Sequence, residues 1–259
     1  MAETMAPAVH KPIWIDLASS DPAASHDFYA NLFGWQIQVS PDPQYGGYAQ
    51  AMIGGEDVAG IGPKMMPEAP TAWSVYIWTP DAEALAQKVQ AAGGKVIAPP
   101  MQVGEQGKMA VFQDPSGAYI SAWQPAMMEG GLTDGRPGTL GWAELNSRGV
   151  DAAVAFYQTI FGWSTKTSPM GEGLPPYVEF LAGGESVAGA AEMNPMVPAQ
   201  VPSHWLVYFA VDDVDASFKK AIAGGAGAMT APRDFPGGRL AIVTDPQGAA
   251  FGLLKMTSR

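Results

Sequence analysis

The chain contains no cysteine. Disulfides, thiol nucleophiles and thiolate-ligated metals are therefore excluded. Histidine is nearly as scarce, with only His10, His26 and His204 in 259 residues. An iron site built from two histidines and one carboxylate would need His10 to fold beside His204. Charge is thin, at 15% of residues, and lopsided: 14 Lys and Arg against 25 Asp and Glu leave a formal net charge of −11. Such a chain repels phosphate, which argues against nucleic acid and against an anionic membrane as partners. No stretch approaches the roughly 20 apolar residues of a membrane span. The first dozen residues hold no apolar run, so no signal peptide is expected, and a cytoplasmic location is the plain reading.

What the chain does have is a repeat. Trp14-Ile15-Asp16-Leu17 leads into Phe28-Tyr29-Ala30-Asn31-Leu32-Phe33-Gly34-Trp35. The pattern returns as Trp142-Ala143-Glu144-Leu145 and Phe156-Tyr157-Gln158-Thr159-Ile160-Phe161-Gly162-Trp163, 128 residues later. Gly54-Gly55-Glu56 and Val58-Ala59-Gly60 recur as Gly183-Gly184-Glu185 and Val187-Ala188-Gly189. Asp114-Pro115-Ser116-Gly117-Ala118 recurs as Asp245-Pro246-Gln247-Gly248-Ala249. A period this long means whole domains rather than solenoid repeats. With 47% hydrophobic residues there is ample material for a core.

Each domain divides again. Ile13–Leu17 alternates as a strand, and Asp21-Pro22 starts a helix whose apolar stripe Ala24, Phe28 and Leu32 ends at Gly34. Short strands follow at 48–52 and 58–61 around a Gly-Gly turn, and a second unit of the same plan begins at Trp73. In the second domain, helices are expected over 150–161 and 214–223. The fold class is α+β, with four βαβββ units. Domain one covers 11–125, a Gly- and Pro-rich linker covers 126–137, and domain two covers 138–256. The 14 methionines are expected mainly as core filler. His26 is expected on the exposed side of the first helix and His10 in the tail.

A sheet covered by helices on one face leaves its other face free, and side chains alternate between the two. Ile13, Ile15 and Leu17 then pack on the helix, while Trp14 and Asp16 point away; in the copy, Trp142 and Glu144 do the same. Applied to the other strands, alternation lines one cleft with Trp14, Asp16, Ser74, Tyr76, Trp78, Tyr119, Ser121 and Trp123. It lines the other with Trp142, Glu144, His204, Leu206, Tyr208, Ala250, Gly252 and Leu254. Aromatic walls with a few polar handles suit planar or amphipathic organic ligands.

The strand, the Asp-Pro helix start, Phe-Tyr-x-x-Leu/Ile-Phe-Gly-Trp and the late Asp-Pro-x-Gly-Ala hairpin resemble the vicinal oxygen chelate superfamily, which includes glyoxalases, bleomycin-resistance proteins and extradiol dioxygenases. With its Trp-x-Asp/Glu strands and the run His204-Trp205-Leu206-Val207-Tyr208-Phe209-Ala210-Val211-Asp212-Asp213, the chain bears a closer resemblance to tandem-domain actinobacterial glyoxalase-like proteins. The resemblance implies paired βαβββ units forming curved mixed sheets around clefts, and pairing can also run across domains. It implies metal ligands on the first strand of each unit and four residues beyond the Gly of Asp-Pro-x-Gly. Those positions hold Trp14, Trp142, Ser121 and Gly252, with Ser74 and Leu206 near the remaining ones. The family's ligand set is thus missing and no metal residues are assigned. A weaker zinc or nickel site would have to use Asp16 or Glu144 with His204.

The expected function is that of a glyoxalase-like protein that acts on or binds a small organic molecule without the usual metal. As a lyase or isomerase, Glu144 or Asp16 would take a proton beside a carbonyl, and Tyr208 or His204 would stabilise the charge. Trp14, Tyr76, Trp78, Tyr119, Ser121, Trp123 and Trp142 would contact the ligand. The alternative is a non-catalytic protein that sequesters an aromatic metabolite or antibiotic. In ordinary structural terms, Asp16 and Glu144 are solvated carboxylates, His204 bonds a backbone carbonyl, and Lys108 and Arg239 are solvated hairpin charges. A monomer or a homodimer fits either reading.

Overall fold

The computed structural model describes residues 10–170, 173 and 175–257. The first repeat runs β1 (Pro12–Ser19), α1 (Pro22–Phe33), β2 (Gln36–Val39), β3 (Ala49–Ile53) and β4 (Glu56–Pro63). It continues as β5 (Ala72–Trp78), α2 (Ala82–Ala91), β6 (Lys95–Val103), β7 (Gly107–Gln113) and β8 (Tyr119–Pro125). The second runs β9 (Leu140–Ser147), α3 (Val150–Phe161), β10 (Ser164–Ser168), β11 (Tyr177–Ala182) and β12 (Glu185–Glu192). It ends with β13 (His204–Ala210), α4 (Val214–Ala223), β14 (Gly227–Phe235), β15 (Gly238–Thr244) and β16 (Ala250–Met256). Each repeat forms one eight-stranded sheet, in the orders β2-β3-β4-β1-β5-β8-β7-β6 and β10-β11-β12-β9-β13-β16-β15-β14. The sheets are mixed: β1 and β4 run parallel, as do β13 and β16, while the hairpins are antiparallel. This is an α+β fold of four βαβββ units.

The compact units cut across the repeats. One gathers Ile77–Glu129 and Leu145–Trp205, with the residues just before Ile13. The other gathers Ile13–Tyr76, Gly130–Glu144 and the chain from Leu206 onward. Each unit therefore takes half of each repeat.

Helix boundaries follow local chemistry. Asp21, Asp81 and Asp213 each accept a hydrogen bond from the amide three residues on, at 3.1, 2.9 and 2.9 Å. α3 starts at Gly149, which has no side chain to offer, and Glu192 at the end of β12 does the capping instead. Its carboxylate accepts from the amides of Gly149 and Val150, at 2.9 and 2.8 Å. Gly34 and Gly162 close α1 and α3 in the left-handed conformation, with φ of 75° and 69°.

The Phe-Tyr-x-x-Leu/Ile-Phe-Gly-Trp motif proves to be the knot of each unit. Tyr29, fully buried, donates to Asp245 at 3.0 Å and accepts from the Trp73 indole at 2.9 Å. Asp245 in turn holds the amides of Gln247 and Ala249 in its own hairpin, at 2.9 and 2.8 Å. The other unit repeats the chain of bonds as Trp205 to Tyr157 to Asp114, at 2.9 and 3.0 Å, with Asp114 holding Ser116 and Ala118. Trp35 and Trp163 stack on the two tyrosines and donate to the carbonyls of Gly138 and His10. A helix of one repeat is thereby tied to the last hairpin of the other. Buried hydroxyls paired in this way contribute about 1 kcal/mol each and cost more if left unpaired.

Three sequence expectations are corrected. Methionine is mostly a surface residue: Met65 and Met196 are 82% and 87% exposed, and aromatic and aliphatic side chains fill the core instead. His10 is buried rather than lying in a loose tail; its Nδ1 donates to the Trp78 carbonyl at 3.0 Å and its ring packs on Phe161. His26 is half-buried, and its Nε2 is enclosed without a partner among the described residues. The edge strands β2, β6, β10 and β14 carry little apolar alternation. β6 even holds Pro99-Pro100, which an edge strand tolerates because it has free N–H positions.

Candidate functional site

In the second compact unit both first strands present Trp-x-carboxylate on the helix-free face, but the two copies are dressed differently. On β1, Trp14 donates its indole N–H to Asp16 Oδ1 at 2.8 Å, a bond that i, i+2 spacing on a strand allows. Tyr48, just before β3, donates its hydroxyl to the same oxygen at 2.7 Å. Tyr76 of β5 supplies a further hydrogen bond. Burial pushes the Asp16 carboxyl above the usual carboxylate range, and these three donors pull against that rise. The Tyr48 hydroxyl is held well above its ordinary value by burial and then by the Asp16 charge. Space is tight: a Cβ on Gly60, the β4 residue paired with Asp16, would sit 1.9 Å from both Asp16 Oδ1 and the Tyr48 hydroxyl. The connecting segment then closes over Trp14. Gly131 donates to the Ile13 carbonyl and Leu132 to the Asp57 carbonyl, both at 2.8 Å. A Cβ on Gly131 would lie 2.6 Å from the indole, and Trp14 is 3% exposed. Asp16 thus belongs to a filled, hydrogen-bonded plug.

On β9 the copy is more open at the tryptophan: Trp142 is half-buried where Trp14 is buried, while Glu144, like Asp16, is half-buried. Tyr208 of β13 donates to Glu144 Oε1 at 3.2 Å. Burial, and then the Glu144 charge, hold the Tyr208 hydroxyl well above its ordinary value, while Arg233 of β14 pulls it back. Around this pair, Leu206, Tyr208 and Leu254 form a buried cluster. Trp142, Phe235, Leu240 and Ile242 pack against it and remain partly exposed. The alternate residues Val207, Phe209, Phe251 and Leu253 are fully buried on the other face. The second repeat therefore offers an apolar face on which the Glu144 carboxylate meets the Tyr208 phenol.

Other sequence candidates lie elsewhere. His204 belongs to the other compact unit, where its Nδ1 donates to the Pro202 carbonyl at 2.9 Å. Trp123 is buried, and its indole N–H is spent on the Met128 carbonyl at 2.8 Å. Ser121 is buried, Trp78 half-buried, and Tyr119 is 55% exposed. Lys108 and Arg239 are not free hairpin charges. Lys108 pairs with Glu83 at 2.7 Å, and Arg239 grips Asp215 through two nitrogens at 2.6 and 2.9 Å, so each pins its hairpin to a helix start. Sequence reasoning missed Tyr48 and Arg233. Repeat alignment carried a signal for both: Tyr48, just before β3, matches Tyr177, the first residue of β11, and Arg233 stands where the first repeat has Met101.

A divalent ion of the family's kind does not fit the residues present. The last-strand position is Gly252, where a Cβ would come 1.9 Å from Tyr208 Cδ1, so the tyrosine ring fills the space a ligand side chain would need. Trp14 and Trp142 stand at the first-strand positions. No cluster of three His, Asp or Glu side chains suited to a metal occurs among the described residues.

Two βαβββ pairs and a helix-free face bearing aromatic and acidic side chains define a glyoxalase-type architecture. The chain belongs to the Glyoxalase/Bleomycin resistance protein/Dioxygenase superfamily, whose model matches residues 11–121 and again 139–253. It is 40% identical over 250 residues to "Putative glyoxylase CFP32" of Mycobacterium tuberculosis, covering 94% of each chain. It is also 40% identical over 261 residues to the anthracycline biosynthesis protein DnrV of Streptomyces peucetius, covering 95% of this chain and 93% of that one. Among solved structures, the Mn(II)-bound glyoxalase from Novosphingobium aromaticivorans superposes with a TM-score of 0.63 at 18% identity, covering 96% of this chain and 84% of that one. The 2,3-dioxygenase LapB from Pseudomonas sp. KL28 gives 0.64 at 15% identity, covering 95% and 91%. At such identities the structures speak for the fold alone. No helix among the described residues is long and apolar enough to cross a membrane.

Proposed function

We propose that the chain binds a small, largely apolar organic molecule on the Glu144–Tyr208 face of the second repeat, without the family's divalent ion. The observation that carries this reading is the Tyr208 ring seated over Gly252. At that place relatives of the metal-dependent kind would need a ligand, and this chain has a phenol bonded to a carboxylate on an apolar face. The flat walls of Trp142 and Phe235 suit a planar ring system. Glu144 would accept a hydrogen bond from a hydroxyl of that molecule. A relative named for anthracycline biosynthesis agrees with such a ligand.

The test is a titration of chelator-treated protein with a hydroxylated anthraquinone, followed by tryptophan fluorescence and calorimetry. Saturable binding that weakens about tenfold in Glu144→Gln, the worth of one good hydrogen bond, is expected. Binding that appears only when nickel, zinc or manganese is restored would overturn it.

A second reading is favoured by the 3.2 Å contact between Tyr208 and Glu144. Glu144 would take a proton from a carbon beside a carbonyl, and Tyr208 would donate a hydrogen bond to the enolate oxygen that results. Asp16 is a poor base in comparison, because its Oδ1 already accepts two hydrogen bonds. Metal-free turnover of a methylglyoxal–thiol adduct, lost in Glu144→Gln, would support catalysis; absence of turnover in the chelated protein leaves binding alone.

A further inference from the structure

Arg233 of β14 makes no side-chain hydrogen bond among the described residues. It is exposed, and among the described residues no carboxylate lies within salt-bridge distance of it. The other described arginines are engaged: Arg136 and Arg239 pair with carboxylates, and Arg148 donates to backbone carbonyls. Its neighbours show the contrast: Asp234 pairs with Arg239 at 2.8 Å, and Arg239 is further clamped by Asp215 at 2.6 Å.

The strand register fixes where the Arg233 side chain goes. Arg233 is paired with Leu240, and Phe235 with Gly238, in the antiparallel β14–β15 ladder. Phe235 and Leu240 both pack on the Leu206–Tyr208–Leu254 cluster. A residue two positions from Phe235 and directly opposite Leu240 emerges on the same face. Arg233 is therefore aimed over the apolar face that carries Glu144 and Tyr208. Its charge reaches the Tyr208 hydroxyl, where it favours the ionised form. In the first repeat the same station is Met101, paired with Met109, so the charge belongs to one copy only.

From this placement we infer that Arg233 is a specificity-determining residue and that the ligand of the second repeat is an organic anion. Its flat apolar body lies on Trp142, Leu240 and Phe235, and its carboxylate or ionised phenol meets the guanidinium. A guanidinium offers a planar pair of donors that matches a carboxylate and stacks on aromatic rings. An unpaired arginine on an apolar wall favours an anion over its neutral analogue. The inference rests on the proposed binding face and deepens it by naming the charge of the ligand.

The experiment compares anthraquinone-2-carboxylate with its methyl ester by tryptophan fluorescence titration, on the wild type, Arg233→Met and Arg233→Lys. The wild type is expected to bind the acid about tenfold more tightly than the ester, the factor one charged hydrogen-bonded contact commonly supplies. Arg233→Met should abolish that preference and leave ester affinity within about twofold, since an uncharged ester gains little from the guanidinium. Arg233→Lys should retain part of it, and added salt should shrink it only where a cation is present. Repeating the titration with a hydroxyanthraquinone across its phenol pKa separates a phenolate from a carboxylate. Equal affinity for acid and ester in the wild type, or a preference that survives in Arg233→Met, would overturn the inference while leaving the binding face intact. Failure of both probes to bind would overturn the binding face as well.

Discussion

Asp16 and Glu144 descend from one pattern, Trp-x-carboxylate on the first strand, and they have come to opposite uses. Asp16 is enclosed by Trp14, Tyr48 and Tyr76, with a chain segment drawn over the indole. Glu144 accepts from Tyr208 beside an apolar cluster whose flanking side chains stay partly open. The difference lies in a few small positions. Gly131 lets the connecting segment settle on Trp14, and Gly252 in the second copy makes room for the Tyr208 ring itself, whereas Gly60, beside the Asp16–Tyr48 contact, recurs as Gly189.

The largest test of that contrast is Asp16→Ala against Glu144→Ala. Removing Asp16 orphans three enclosed donors, and a loss of about 3 kcal/mol in unfolding free energy is expected by urea denaturation. Glu144→Ala should cost less, about 1 kcal/mol, because Trp142 beside it and the side chains flanking its cluster stay partly open to water, which can replace the lost acceptor. Equal losses would break the comparison. Next in size is Gly252→Ala. Its new methyl must displace the Tyr208 ring, costing about 2 kcal/mol as overpacking does and disturbing Glu144, so ligand binding should weaken as well as stability.

The repeats should agree, by contrast, at the Tyr29 and Tyr157 knots. Tyr29→Phe and Tyr157→Phe each strip a donor from an aspartate and an acceptor from an indole. Matched losses of about 1–2 kcal/mol are expected, and a several-fold disparity would show that the two knots are not equivalent. A smaller asymmetry sits nearby. Ser19 and Ser25 share a 2.7 Å hydrogen bond, while the second copy has Ala153 in place of Ser25 and leaves the buried Ser147 Oγ without a partner among the described residues. Ser19→Ala should cost about 1 kcal/mol, and Ser147→Ala should be neutral or slightly stabilising.

The smallest effect is in pH. Burial raises the Asp16 carboxyl in the folded chain, so folding favours its protonated form. That contribution is fully present below the ordinary carboxylate pKa of about 3.9 and is lost as pH rises through the elevated folded value. The stability of the wild type relative to Asp16→Asn should therefore fall as pH is raised from about 4 toward neutrality; a rise would contradict the assigned direction.

Much of this was legible in the sequence. Alternation placed Trp14 with Asp16 and Trp142 with Glu144, and the Asp caps and Gly stops marked the helices, because these signals are local. The long partnerships were not legible. Nothing near Tyr29 announces Asp245, 216 residues away, and the repeat showed only that both residues recur. The edge strands hid because their exposed residues need no apolar period. Trp123 looked like a cleft wall by alternation, yet its N–H is taken by the Met128 carbonyl, a backbone group that no pattern of side chains reveals. Arg233 was legible only by aligning it with Met101 and asking why one copy carries a charge there.

The account turns on which copy holds the ligand. The most direct measurement is a paired titration of Asp16→Asn and Glu144→Gln with a hydroxylated anthraquinone, each variant first shown to be folded by circular dichroism. The account predicts wild-type affinity in Asp16→Asn and about tenfold weaker binding in Glu144→Gln. Unchanged binding in Glu144→Gln together with loss in Asp16→Asn would contradict it.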